Sequence, residues 1–362
     1  MKKVCFFLEK IDASGGIPRV VSIITNGLYS RGYSVDIVSL TNDNDNNERY
    51  CLNENISISY IFKNRNLSYK RDFWKIAKAI DNHFVQKKYE SIIIAGMDFI
   101  PFFNRANNIF KDSQLIAWEH SNYTIGSKFG FRSWGRRIAS KKFNKIIVLT
   151  DRDVRLYKKG IKKLNCEIRR IYNPIENKDK NHEYNADSKT ILSCGALIEQ
   201  KGFDYAVEVA EIVFKENKDW QWLIYGEGSE RNKLERLIAE KGLTKQLLLK
   251  GYTNDIGKAY RDAAFFVLPS RFEGFCMVNL EAMQMKLPVV AFDFNCGPDE
   301  IIMDGINGFV IEDFSVSEMA QKILLLINDA NRRKDMSEKC YKSLRPFQLD
   351  GILDEWERVI GD

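Results

Sequence analysis

Residues 265–285 constrain the fold more than any other stretch. Phe265-Phe266-Val267-Leu268 is a four-residue apolar run that reads as a short buried strand, stopped by Pro269 and Ser270. Glu273 and Gly274 make a turn. From Phe275 onward the apolar residues Phe275, Val278, Ala282 and Met285 recur at helical spacing. A strand, a glycine turn and a helix start follow one another. The free N–H groups of such a helix start, with the helix dipole, favour an anion. Glu273 lies at the mouth of that site, and Glu281 lies eight residues on, about two helical turns along the same side. An anion cradle between two carboxylates that accept from sugar hydroxyls suits a nucleotide-sugar. An amphipathic helix with two solvated glutamates fits the same residues.

The chain has 362 residues, long for one core and suited to two domains. Hydrophobic residues make up 44% and charged residues 29%, which is ordinary for a globular protein. No apolar run approaches the ~18 residues that a membrane span needs. Val4-Cys5-Phe6-Phe7-Leu8 after Met1-Lys2-Lys3 is too short for a signal-peptide core and reads as a buried first strand. Seven cysteines carry no metal-type pair spacing and point to free thiols in a reducing cytosol. The net charge of +6 is uneven. Residues 128–170 hold fifteen Lys/Arg against three Asp/Glu, a local +12, so the rest of the chain sums to −6.

The strand–turn–helix unit recurs along the chain. Val4–Leu8 leads into Asp12-Ala13-Ser14-Gly15-Gly16. Pro18 suits the first helical position, and Val20, Val21, Ile24 and Leu28 mark a helix face that Gly32 ends. Val35–Leu40 is the next strand. The glycine turn sits at a strand's C-terminal end, where open parallel sheets bind ligands, but it is not the dinucleotide pattern G-x-G-x-x-G. Residues 56–61 read as a strand, 73–84 as a helix, and 91–95 and 115–118 as strands, the last running into Glu119-His120. Ile146–Leu149 is a strand, and Thr150-x-x-Asp153 a helix cap. Residues 176–189 are polar, without periodicity, and read as a linker. A second series begins at Thr190, with strands at 191–194, 220–225, 247–249, 265–268 and 289–292. Residues 311–342 read mostly as amphipathic helix.

The run from Pro269-Ser270 to Glu281 resembles the paired-glutamate signature of the retaining glycosyltransferases of family 4, with Cys276 where a glycine is common. Further matches extend the resemblance over most of the chain. They are Gly15, Gly16 and Arg19 in the first turn, His120 at a strand end, Asn173-Pro174, Lys201-Gly202, and Gly297-Pro298-Asp299-Glu300. The resemblance implies an α/β chain of the GT-B fold, two Rossmann-like parallel-sheet domains facing a cleft. Residues 1–175 would be the acceptor-side domain and 190–344 the donor-binding domain, with a C-terminal helix at about 345–362 packing back on the first. It implies a metal-independent enzyme without a cofactor that moves a hexose or N-acetylhexosamine from a nucleotide-sugar to a glycan. UDP is the favoured carrier, although the residues themselves do not fix the base. His120 and Glu273 would hold the hexose, Glu281 the ribose and Lys201 the donor diphosphate. Gly16, Gly195, Gly226, Gly228, Tyr252, Gly274, Phe275, Cys276, Met277 and Val278 would line the donor. Gly15, Arg19 and Glu119 would lie on the acceptor side. The clearest departure is Ala196, where the family has an arginine on the diphosphate.

Within the basic segment, Phe129, Phe131 and Trp134 interleave with Lys and Arg. A nucleic-acid face, a solvated charged face and an anionic membrane surface all fit such a mixture. The membrane is favoured, because family members act on lipid-linked acceptors, and nucleic acid is set aside. The expected location is the cytoplasm, peripheral to the inner face of the membrane. Two other readings share the fold: a nucleotide-sugar 2-epimerase, and a relative that binds sugar nucleotide without turnover, which the missing arginine supports.

Overall fold

The structure is a computed structural model and describes residues 2–13, 15–42, 50–63, 65–104, 109–176, 182–253, 255–295 and 297–361. The chain forms two compact units, Met1–Glu176 with Phe347–Asp362, and Asn177–Pro346.

The first unit is built on seven strands: β1 (Lys3–Leu8), β2 (Ser34–Ser39), β3 (Ser57–Tyr60), β4 (Ser91–Ala95), β5 (Gln114–Trp118), β6 (Lys145–Val148) and β7 (Glu167–Arg170). They pair in parallel in the order β3-β2-β1-β4-β5-β6-β7. Every residue from Val4 to Leu8 and from Ser91 to Ala95 is buried, as in a parallel sheet covered on both faces. The helix Gly16–Ser30 follows β1, with Pro18 inside its first turn rather than at its first position.

The C-terminal helix Leu349–Gly361 belongs to this unit. Its Trp356 packs on Phe6, with ring centroids 6.0 Å apart, and edge-on to Trp118 at 4.8 Å. Where this helix crosses Gly16–Ser30, a Cβ on Gly27 would come within 2.6 Å of Leu353 Cδ1, so a larger residue there would make Leu353 shift. Arg31 then donates to Asp354 at 2.6 Å and to Glu357 at 2.8 Å.

The second unit carries β8 (Thr190–Cys194), β9 (Gln221–Tyr225), β10 (Leu247–Gly251), β11 (Phe265–Leu268), β12 (Val289–Phe292) and β13 (Gly308–Ile311), all parallel, in the order β10-β9-β8-β11-β12-β13. Each unit therefore starts from a central strand, β1 or β8, and winds outward both ways.

Three expectations change. Residues 311–342 are not one helical stretch. Ile311 closes strand β13, and Val316–Asn328 and Ala330–Ser343 are separate helices capped by the side chains of Ser315 and Asp329. Strand β7 was not expected, because Glu167-Ile168-Arg169-Arg170 lies at a sheet edge and carries charge. The linker expected at 176–189 is pinned where it is described. Tyr184 donates to the Ala264 carbonyl at 2.6 Å and Ser188 to that of Asp262 at 2.6 Å, while Arg333 donates to the Ala186 carbonyl at 2.7 Å. Residues 177–181 of that stretch lie outside the described residues, as do Ser14 of the first glycine turn and Cys296. The six described cysteines are free thiols.

Candidate active site

In the second unit, the loops that follow β8 and β11 bring Lys201 and Glu273 together. Lys201 Nζ lies 2.7 Å from Glu273 Oε1, and Ser270 Oγ donates to the same oxygen at 2.8 Å. Burial pulls the Lys201 ammonium down, but the charge of Glu273 and its hydrogen bond more than offset this, and the net shift is upward. Lys201 is thus a held cation. Gly195, at the end of β8, makes room for it: a Cβ there would sit 3.2 Å from Lys201 Cε.

The turn after β11 runs through Phe272, Glu273 and Gly274 into an eight-residue helix, Met277–Gln284. Its amides are less free than the spacing suggests. Met277 N–H donates back to the Phe275 carbonyl at 2.8 Å and Asn279 N–H to that of Cys276 at 3.0 Å. Phe275 and Cys276 are buried, while Met277 and Val278 are half-buried.

Glu281 sits farther along this helix. Tyr260 donates to its Oε2 at 3.1 Å, and Cys194 Sγ lies 3.0 Å from the Tyr260 hydroxyl. Burial, then the neighbouring Cys194 and Glu281 charges, push the Tyr260 hydroxyl well above its usual range, so it stays a donor. Burial and Glu281 push the Cys194 thiol up to about 12. Neither Tyr260 nor Ser270 was foreseen. The sequence offers only a tyrosine on a short helix and a serine ending a strand, and tertiary packing makes both partners of the glutamates.

Gly226 and Gly228 are required by packing. A Cβ on Gly226 would lie 1.9 Å from the Gly195 carbonyl oxygen, and one on Gly228 would lie 2.3 Å from that of Leu197. The loops after β8 and β9 are joined by Gly195 N–H to the Tyr225 carbonyl and Leu197 N–H to that of Glu227, each at 2.9 Å. Tyr252, just beyond β10, is 72% exposed. Ala196 is exposed, and Arg271, on the loop after β11, is committed elsewhere. It grips Asp204 through both carboxylate oxygens at 2.7 and 2.6 Å and stacks over Tyr205.

In the first unit, Gly15 and Gly16 line a cavity of about 410 Å³ together with Glu9, Lys10, Pro18 and Phe99. Arg19 lies beside Glu176, at 3.7 Å. His120 follows β5 and packs on Trp118, with ring centroids 4.2 Å apart. Its Nε2 is buried and has no hydrogen-bond partner among the described residues. Burial pulls the imidazole down to about 3, so at neutral pH it is uncharged, with one open hydrogen-bonding position.

Glu119 does something other than orient an acceptor or the imidazole. It is 1% exposed and accepts from Arg136 Nε at 2.8 Å and from the Tyr157 hydroxyl at 2.8 Å. Arg136 also donates to the carbonyls of Asn122, Tyr123 and Ile125, so the pair clamps the loop that leaves β5. A buried charge must be paired, and Glu119 is spent on that pairing. The basic segment is likewise not one face. Arg136 and Lys145 are buried, Arg132 pairs with Asp98, and Arg170 pairs with Asp151 and Glu355. Among the described residues, no cluster of three His, Cys, Asp or Glu side chains is placed to hold a metal, and no helix is long and apolar enough to cross a membrane.

Comparison with known proteins agrees with this architecture. The family profile described as glycosyl transferases group 1 matches residues 174–343. An uncharacterized glycosyltransferase of Haemophilus influenzae is 29% identical over 99% of this chain and 100% of its own length. The poly(ribitol-phosphate) alpha-N-acetylglucosaminyltransferase of Staphylococcus aureus is 35% identical over 46% of this chain and 34% of its own length. Among solved structures, a mutant of S. aureus TarM in complex with fondaparinux, alpha-GlcNAc-glycerol and UDP superposes with a TM-score of 0.85 at 18% identity, covering 100% of each chain. The protein is a glycosyltransferase built on the GT-B fold, and its residues 174–343 resemble the glycosyl transferases of group 1.

Proposed function

We propose that this enzyme moves a hexose or N-acetylhexosamine from a nucleotide-sugar, with UDP as carrier, to a glycan acceptor in cell-surface polysaccharide or glycolipid synthesis, with retention at the anomeric carbon. The observation that carries the reading is the contact of Lys201 with Glu273 at 2.7 Å, a cation and a carboxylate held side by side where two loops leave the C-terminal ends of β8 and β11. A leaving diphosphate needs charge neutralisation, and a hexose needs an acceptor for its hydroxyls. The pair supplies both. The relative that acts on poly(ribitol-phosphate) and the neighbour solved with UDP support the class of acceptor and donor.

In this reading Lys201 and the backbone from Gly274 to Val278 receive the diphosphate, with no metal or cofactor. Glu281, aimed by Tyr260, takes the ribose. In the second unit Glu273 takes hexose hydroxyls, and in the first the Nε2 of His120 offers a hydroxyl a hydrogen-bonding position. The acceptor oxygen attacks the anomeric carbon on the face that the diphosphate leaves, and the acceptor's proton passes to the departing phosphate oxygen. The acceptor is lipid-linked in this reading. Phe129, 88% exposed, and Trp74, 65% exposed, then accompany the cations of residues 128–170 at the inner face of the membrane.

Product analysis of the full chain with UDP-sugars and glycan acceptors tests the proposal. A new glycoside with the donor's anomeric configuration is expected. Donor epimerised at C2 would make the protein an epimerase, and intact donor that binds without turnover would make it a binding relative.

A further inference from the structure

Five cations of the first unit surround one hollow. It measures about 550 Å³ and lies between the loop at Tyr123–Lys128, the helix Phe131–Lys142 and the turn at Gly160–Lys163. Lys128, Arg137, Lys141, Lys162 and Lys163 line it, and no aspartate or glutamate does. All five are exposed, and none has a carboxylate partner among the described residues. This contrasts with Arg132, Arg136 and Arg170 of the same segment, which are each paired.

The hollow is a built feature. Arg136 forms part of its wall, already neutralised by Glu119 and fixed by three carbonyls. Tyr123 lies against Gly160, where a Cβ would come within 2.2 Å of its hydroxyl oxygen, so a larger residue at 160 would push the Tyr123 ring out of this contact. Ser140, 1% exposed, accepts at its carbonyl from Asn165 N–H at 2.8 Å and fastens the far side. The frame is closely packed, and the charges on its rim are exposed and without a carboxylate partner among the described residues. Like charges gathered round a concavity repel one another, and their field is focused there, until an anion enters. The hollow shares no lining residue with the cavity beside Gly15 and Gly16.

We propose that this hollow is a binding site for a phosphate-bearing group of two or more negative charges. Lysine and arginine converging without a carboxylate match phosphate oxygens better than sugar hydroxyls, which need acceptors as well as donors. The membrane reading asks only for diffuse attraction, whereas this site asks for a bound phosphate and stands whether or not the enzyme meets a lipid surface. The phosphate has two possible sources, a lipid headgroup or a soluble phosphate compound.

The test uses the full chain carrying Lys201→Ala, which removes the cation proposed for the donor diphosphate. Sodium pyrophosphate is titrated by calorimetry at constant ionic strength. Saturable binding is expected, and adding Lys141→Ser and Lys162→Ser is expected to weaken it at least tenfold with an unchanged melting temperature. No saturable binding, or equal affinity in both proteins, overturns the site. Flotation with vesicles of phosphatidate or phosphatidylserine in phosphatidylcholine, matched in charge, separates the sources. Retention on phosphatidate that pyrophosphate displaces assigns the phosphate to a lipid. Pyrophosphate binding without retention assigns it to a soluble compound. UDP titration of the protein with Lys201 intact and Lys141→Ser and Lys162→Ser present keeps the two sites apart: failure to bind UDP there would count against the donor reading and not against this one.

Discussion

Glu273 Oε1 receives both the ammonium of Lys201, at 2.7 Å, and the hydroxyl of Ser270, at 2.8 Å. One carboxylate therefore ties the loop after β8 to the strand end of β11. Removing the cation leaves a largely buried carboxylate that has lost its countercharge. In urea unfolding, Lys201→Met and Glu273→Gln should each destabilise the protein, and the double variant should cost less than their sum. The coupling should be about 0.5–3 kcal/mol, the range for contacting residues. Additive effects would mean that the contact contributes nothing to the fold. For donor binding, Lys201→Ala should weaken affinity about ten- to a hundredfold, the equivalent of one charged hydrogen bond of about 1.5–3 kcal/mol.

Tyr260 is a positioning residue for Glu281. Its hydroxyl, buried and held protonated, donates to the Glu281 carboxylate and helps to fix its direction. Glu281→Ala should raise the donor KM strongly. Tyr260→Phe should raise it severalfold while leaving kcat nearly unchanged, because the ribose lies away from the reacting bond. Steady-state kinetics at saturating acceptor read both. An unchanged KM in Glu281→Ala would count against the ribose assignment. A fall in kcat alone for Tyr260→Phe would place the tyrosine nearer the chemistry.

The Arg136–Glu119 pair is buried, with side chains 5% and 1% exposed. Arg136→Met would leave the buried Glu119 carboxylate with the Tyr157 hydroxyl and the Ser121 N–H but no cation, and would take a donor from three carbonyls. Loss of one partner of a buried pair costs about 3–5 kcal/mol. Chemical unfolding should show a loss of this size, with Glu119→Gln costing less because the amide still accepts from Arg136. A loss below 1 kcal/mol for Arg136→Met would mean that water reaches the site and solvates the carboxylate.

The strands that could be read from the sequence are those buried on both faces. Val4–Leu8, Ser91–Ala95 and Phe265–Leu268 are continuous apolar runs because helices cover both sides of the sheet. Edge strands lack that constraint, so Glu167–Arg170 carries three charges and reads as surface. Glycine and proline turns placed the loops with Lys201 and Glu273, since turn chemistry is local. The partners of those side chains are not local. Tyr260 reaches Glu281 across twenty-one residues and Lys201 reaches Glu273 across seventy-two, and no periodicity encodes such distances. Glu119 shows the same limit from the other side. Next to His120 at a strand end it reads as part of a site, and only the fold reveals Arg136 turned onto it. Counting charges between Lys128 and Arg170 likewise could not separate Lys145, which is buried and donates to the Val359 carbonyl at 2.9 Å, from the five that ring the hollow.

His120 supplies the pH prediction. Burial holds its imidazole at about 3 in the folded protein, against an ordinary value near 6.5. A depressed value means that the folded state prefers the neutral ring. The associated stability is therefore fully present above about pH 6.5 and is lost as pH falls toward 3. Each proton excluded contributes a slope of at most about 1.4 kcal/mol per pH unit in that window. His83 shifts in the same direction, through burial and the nearby Lys87, so the wild-type slope alone does not isolate His120. The comparison that does is His120→Asn, which keeps a neutral hydrogen-bonding side chain. Between pH 6.5 and 4.5 the wild type should lose stability more steeply than His120→Asn, measured by urea unfolding at fixed ionic strength. Parallel curves would mean that the imidazole takes up its proton in place, and its open Nε2 would then present a charge rather than a neutral partner to a sugar hydroxyl.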